Sequence, residues 1–214
     1  MINVKSFTFS PFAENTYVLY DETKECLIID PGCYQDHEKQ ELSDFISKND
    51  LKPVRLINTH SHIDHVFGNK YVAETYSLVP EMHPDEVEGL KAVPTYGATM
   101  GLMVEPSPEP TFLPEEGQLT FGNSSLEILF TPGHSIASLS FYSKADQFVI
   151  AGDALFQGSI GRVDLPGGNM QTLMNSIRTK LLVLDKEVVV YSGHGDPTKI
   201  GIEIVSNPFL NGMY

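Results

Sequence analysis

At 214 residues the chain has room for one domain with a substantial core and is short for two. Its 28 acidic residues against 14 basic ones, a formal net charge of -14, exclude a nucleic-acid surface, which needs clustered Lys and Arg. The two cysteines, Cys26 and Cys33, exclude a disulfide framework and a thiol-rich zinc cluster, and no segment reaches the roughly 18 uninterrupted apolar residues of a membrane span.

Residues 1–20 alternate polar and apolar positions and lack a basic segment followed by an apolar run, so they read as strand rather than signal peptide. The expectation is a cytoplasmic protein with no membrane partner. Strands are predicted at 2–9, 15–20 and 26–29, a meander punctuated by Ser10-Pro11 and Asp21-Glu22. Asp30-Pro31-Gly32 ends the third strand, and the spacing of Leu42, Phe45 and Ile46 predicts a helix over 36–48. A strand at 54–58 follows, then a helical composition over 64–76 with Asp64 at its start, where a capping or first-turn acid belongs.

From 93 to 117 the pattern breaks into Pro94, Gly97, Gly101, Pro106, Pro108, Pro110 and Pro114, interleaved with Tyr96, Met100, Met103 and Phe112. This predicts an irregular loop, either a cover over a site or a plain connection, with Tyr96 a candidate substrate contact. Further strands are predicted at 118–121, 126–130, 137–142 and 148–150, then a helix over 170–182, a strand at 188–191 and a last helix near 197–205. Both halves run strands first and helix after, which predicts an α/β (α+β) class: two sheets face to face with helices outside, in a single domain over 1–214.

The chemistry concentrates in Thr59-His60-Ser61-His62-Ile63-Asp64-His65, three imidazoles and a carboxylate directly after an apolar strand. Imidazole nitrogen and carboxylate oxygen suit a divalent cation, and so dense a polar cluster is costly without one. His60 and His62, two apart, can converge on one ion, while Asp64 and His65 can face a second position. Three more strand ends carry ligand-type residues beside glycines: Gly133-His134, Gly152-Asp153 and Gly193-His194. His37 and His83 lie outside every motif beside acids and read as surface residues. Cys33 reads as structural, and no Gly-x-Ser-x-Gly elbow offers a serine nucleophile.

With these residues in order, the chain resembles the metallo-β-lactamase superfamily. The resemblance implies a four-layered αββα sandwich, with His60, His62 and His134 holding one metal, Asp64, His65 and His194 a second, and Asp153 bridging the two. Within the superfamily the chain is similar to short type II glyoxalases. That likeness is carried by Thr59 to His65 with Gly68-Asn69, by Gly152-Asp153-Ala154-Leu155-Phe156 with Gly161-Arg162, and by Asn207-Pro208-Phe209. Full-length type II glyoxalases have a further C-terminal helical domain, so the expectation is a short relative of them.

The implied activity is hydrolysis of S-lactoylglutathione or a similar small-molecule hydroxyacyl thioester or ester. The cofactors would be two divalent ions, zinc in the first place, with iron and manganese compatible with the same donors. Asp64 and Asp153 are the carboxylates this places at the reacting centre, Asp64 as a ligand before a proton shuttle. Asp30 reads as a residue that orients a ligand or caps its turn. Arg162 reads as a brace for its loop through Asp164, or a contact for a substrate carboxylate. A mononuclear-iron persulfide dioxygenase, a lactone or ester hydrolase, and a non-catalytic module are the other readings this scaffold allows.

Overall fold

A computed structural model describes residues 1–212, and these divide into two compact units: Met1–Leu113 with Thr120–Ser124, and Pro114–Leu119 with the chain from Ser125 onward. The first unit opens with the predicted meander, β1 (Asn3–Phe9), β2 (Glu14–Tyr20) and β3 (Glu25–Ile29), paired antiparallel from Asn3↔Tyr20 to Tyr17↔Ile29. Helix α1 (Asp36–Lys48) starts in a capping box between Gln35 and Glu38 and buries Leu42 and Ile46. It leads to β4 (Lys52–Ile57), which runs parallel to β3 with Ile29 beside Ile57.

Two further crossovers follow. Helices α2 (Ile63–Val66) and α3 (Asn69–Tyr76) lead to β5 (Pro80–Met82), parallel to β4, and α4 (Val87–Thr99) leads to β6 (Thr111–Phe112), parallel to β5. Because β3, β4 and β5 are parallel neighbours, the residues after each emerge at one edge of the sheet. Asp30, the Thr59–His65 segment and Glu86 are those residues. One core packs Phe7, Phe9, Val18, Ile28, Leu42 and Leu56; another packs Ile63, Val66, Phe67, Met82, Leu90 and Val93.

Three expectations for this unit need correction. The helix predicted over 64–76 is two helices, because Gly68 donates its N–H to the Pro31 carbonyl at 2.7 Å and has no room for a Cβ, which would lie 2.4 Å from Cys33 Sγ. Residues 93–99 are the end of α4 rather than loop, and Tyr96 stands on that helix, half exposed. Leu90, Val93 and Gly97 form its buried stripe, and the packing of that stripe outweighs the interior Pro94. His83 is buried, not a surface residue: its Nδ1 accepts the Asp85 N–H and caps the 3-10 turn Pro84–Glu86, whereas His37 is exposed as expected.

The second sheet contains β7 (Glu116–Phe121), β8 (Ser124–Phe130), β9 (Leu139–Ser143) and β10 (Phe148–Gly152). A small hairpin, β11 (Leu155–Phe156) and β12 (Ser159–Ile160), and helix α5 (Met170–Ser176) follow, and the sheet resumes with β13 (Val189–Ser192) and β14 (Thr198–Lys199) before α6 (Ile200–Ser206). The sheet order is β14-β13-β10-β9-β8-β7. β13 is parallel to β10, and β9 is antiparallel to both β8 and β10, so β8, β10 and β13 all end at one edge. The core beneath packs Val149, Leu155, Leu173, Ile177, Leu181 and Val190, with Asn207-Pro208-Phe209 closing its end through Phe209.

Candidate metal centre

Each unit carries its own cluster of donors. In the first, β4 runs out through Asn58 and Thr59, both fully buried, into His60; His62 is the N-cap of α2, which places Asp64 and His65 in a single turn. His60 and His65 are fully buried, with ring centroids 4.2 Å apart, and His62 crosses His60 edge-on at 4.7 Å. Asp64 Oδ2 lies 3.9 Å from His65 Nε2.

Asp30 governs the protonation of this cluster. It sits at φ +49°, in the left-handed region that Asp and Asn tolerate best among residues with a Cβ. Its Oδ1 accepts the Thr59 N–H at 2.7 Å, and its Oδ2 accepts the Thr59 hydroxyl at 2.6 Å and His65 Nδ1–H at 3.0 Å. Since the Thr59 hydroxyl gives its proton to Asp30, its oxygen must accept from His60 Nδ1 at 2.9 Å. One carboxylate thus places the proton on Nδ1 of both rings and leaves the lone pair on Nε2, the form in which imidazole binds a cation. Asp30, His60 and His65 are close enough to share an ion, but both Asp30 oxygens are committed to these donors, so it orients ligands rather than joining them.

Two buried acids absent from the sequence reading reinforce the segment. Glu14, fully buried on β2, lies 4.0 Å from His65 Nδ1 through Oε1, and its Oε2 accepts the Thr16 hydroxyl. Burial pushes its carboxyl well above the usual carboxylate range, with Asp30 and Asp64 adding to the rise and His65 and Thr16 opposing it. Glu86, 2% exposed, accepts both the N–H and the hydroxyl of Ser61, the residue between the two leading histidines. Asn58 and Asn69 form a reciprocal amide pair, and Asn58 also donates to the His65 carbonyl. Asn69 showed in the sequence through the Gly68-Asn69 motif, whereas Glu14 and Glu86 stand among other polar residues with nothing to mark them.

In the second unit the three strand ends bring His134, Asp153 and His194 together. Asp153 Oδ2 lies 3.3 Å from His134 Nε2 and 3.6 Å from His194 Nε2, a carboxylate flanked by two imidazoles. His134 donates Nδ1–H to the Arg162 carbonyl at 2.7 Å, which again leaves the lone pair on Nε2. Glycines make the approach possible. At Gly161 a Cβ would lie 1.9 Å from the Asp153 carbonyl oxygen, and Gly133, at φ +127°, faces the Leu173 backbone with a would-be Cβ 2.2 Å from its nitrogen. The Arg162 side chain is exposed and paired with Asp164 through two contacts of 2.7 Å, which hold the Asp164 carboxyl down to about 2.

The donor set fits divalent cations. His60, His65 and His134 each have Nδ1 occupied as a donor so that Nε2 is the basic atom, and Asp64 and Asp153 stand beside imidazole Nε2 atoms. Neutral imidazole and carboxylate oxygen suit zinc, iron and manganese.

The metallo-beta-lactamase superfamily model matches residues 10–194, and the chain belongs to that superfamily. It is 40% identical to the probable metallo-hydrolase YqgX of Bacillus subtilis, over 95% of each chain. It is 35% identical to the hydroxyacylglutathione hydrolase GloC of Haemophilus influenzae, over 98% of this chain and 99% of that one. Among solved structures, the BLEG-1 B3 metallo-beta-lactamase superposes with a TM-score of 0.89 at 36% identity, covering 99% of this chain and all of that one. TTHA1623, in a di-iron-bound form, superposes with a TM-score of 0.86 at 34% identity, covering 97% and 100%. The mixed α/β class and the metallo-β-lactamase fold expected from the sequence are those of these neighbours, and the protein is a metallo-hydrolase of this superfamily.

Proposed function

We propose that this superfamily member is a binuclear metal-dependent thioesterase of the hydroxyacylglutathione hydrolase kind, acting on S-lactoylglutathione or a similar small hydroxyacyl thioester in the cytoplasm. In this reading His60, His62 and His134 would hold one cation and Asp64, His65 and His194 the other, with Asp153 a ligand available to both. The observation that carries it is the complete donor set, with Nδ1 of three histidines committed so that Nε2 is the ligating atom. The thioester is supported by the likeness to GloC, whose name states that substrate and which aligns over 99% of its own length.

When bound, two divalent cations would acidify a water toward neutral pH and polarise a carbonyl. The chain's own part is to hold the tautomers: Asp30 through Thr59 and directly at His65, and the Arg162 carbonyl at His134. Asp64 can pass a proton at its Oδ2 once its ligating role is met. Zinc is the proposed metal, and the di-iron form of TTHA1623 makes iron the alternative to measure.

The test is elemental analysis of the purified protein, then parallel assays of the zinc-, iron- and manganese-loaded forms. Thiol release from S-lactoylglutathione is set against cleavage of a β-lactam, a lactone and a simple ester, and against oxygen uptake with glutathione persulfide. The proposal expects two ions per chain and the highest kcat/KM on the thioester. Faster β-lactam, lactone or ester turnover overturns the substrate, and a single iron with oxygen uptake overturns the hydrolytic reading.

A further inference from the structure

We infer that Glu86 is a positioning residue for the His60/His62 pair, holding that half of the centre from behind as Asp30 holds His65 from the side. The inference rests on the reading that His60 and His62 ligate a cation. Ser61 lies between them in the chain. Glu86 Oε2 accepts the Ser61 N–H at 2.9 Å and the Ser61 hydroxyl at 2.5 Å.

The N–H belongs to the peptide joining His60 to Ser61. Holding its direction restrains ψ of His60 and φ of Ser61, two of the four backbone torsions that set the angle between the two histidine Cα–Cβ bonds. Helix α4 is fitted closely to this grip. At Gly89, one turn beyond Glu86, a Cβ would lie 2.3 Å from Ser61 Oγ. Glu86 comes from the end of β5 and the ligands from the end of β4, so the sheet itself sets their spacing. A buried carboxylate is an expensive way to brace a loop, and this one accepts two hydrogen bonds from the residue between the two histidines.

The experiment follows zinc binding to the metal-free full chain by long-range proton–nitrogen spectra of the histidine rings, which show which imidazoles are bound at each equivalent of zinc. Chelator competition supplies the affinities, and unfolding of the zinc-free forms supplies their stability. Glu86→Ala is expected to weaken zinc at His60 and His62 by about 10- to 100-fold, the range for loss of a partner that orients a ligand. Glu86→Gln keeps an acceptor oxygen and is expected to recover part of that loss, while Ser61→Ala, which keeps the N–H contact, loses less than Glu86→Ala. Zinc at His65 is expected to hold in all three.

Equal weakening at His65, tracking a fall in stability, would show a packing role alone and overturn the inference. So would unchanged binding at His60 and His62. Should Glu86→Ala not fold, Glu86→Gln and Ser61→Ala decide by the same two criteria. If the unsubstituted chain takes up no zinc at His60 and His62 while His65 responds, the metal-site reading fails and this inference with it.

Discussion

Asp30→Asn isolates the charge at the point where the histidine cluster is organised. The backbone there is at φ +49°, which Asn adopts as readily as Asp, so the turn after β3 should persist. The carboxylate receives three donors, and replacing it by an amide allows Oδ1 to keep the Thr59 N–H. The NH2 group then faces the Thr59 hydroxyl and His65 Nδ1, where two donors point at a third. The escape is for His65 to move its proton to Nε2, which removes the lone pair from the atom that would bind a cation.

Each hydrogen bond to a charged group contributes about 1.5–3 kcal/mol, and a buried donor without its acceptor costs about 1–3 kcal/mol. With one of the three contacts kept and one relieved by the tautomer change, the metal-free variant should lose about 1–3 kcal/mol in urea unfolding. Zinc affinity at His65 should fall about 10- to 100-fold. Chelator competition reads the affinity, and the His65 ring nitrogen shifts read the tautomer. If His65 retains Nδ1–H in the variant and binds zinc as before, the assignment of tautomer control to Asp30 is wrong.

Other perturbations test other parts of the structure. Gly161→Ala puts a methyl group where the Asp153 carbonyl stands, so it should cost about 1–3 kcal/mol in unfolding and reduce thioester turnover far more than it reduces stability. Asp21, 2% exposed, is raised by burial but lowered by more through its hydrogen bonds with Thr23, Ser124 and Asn123, so its folded pKa lies below 3.8. Its stabilisation is then present above pH 3.8 and lost as pH falls through the folded value; the stability gap between the protein and Asp21→Asn should be full at neutral pH and close in acid, and a gap that widens in acid refutes the sign. Burial pushes the thiols of Cys26 and Cys33 up to about 12, so neither should react with iodoacetamide in the native protein at pH 8, and rapid labelling would contradict that packing. Stripping bound metal with a chelator should leave the fold in place on its apolar cores but lower Tm by an amount that returns with added zinc, read by calorimetry.

What could be read from the sequence was what lies close in the sequence or repeats with a period. The meander was visible because its alternation and turns are local, and the Thr59–His65 donors because they share one strand exit. Helix α4 was hidden by Pro94 and Gly97, which signal a loop unless Leu90 and Val93 are already known to have a core to pack on. His83 was misread because an adjacent acid suggests solvent, whereas the ring spends its Nδ1 on a cap inside the fold.

Glu86 and Glu14 had no pattern at all. Glu86 reaches Ser61 across 25 positions, and Glu14 meets His65 only because parallel pairing of β3 with β4 brings the histidine segment beside the meander. An acid that orients a ligand through one backbone N–H can come from any strand ending at that edge, so spacing along the chain carries no information about it. The ligands themselves must be the right residue types at the right exits, which is why they show in the sequence while the acids that aim them show only once the strands are paired.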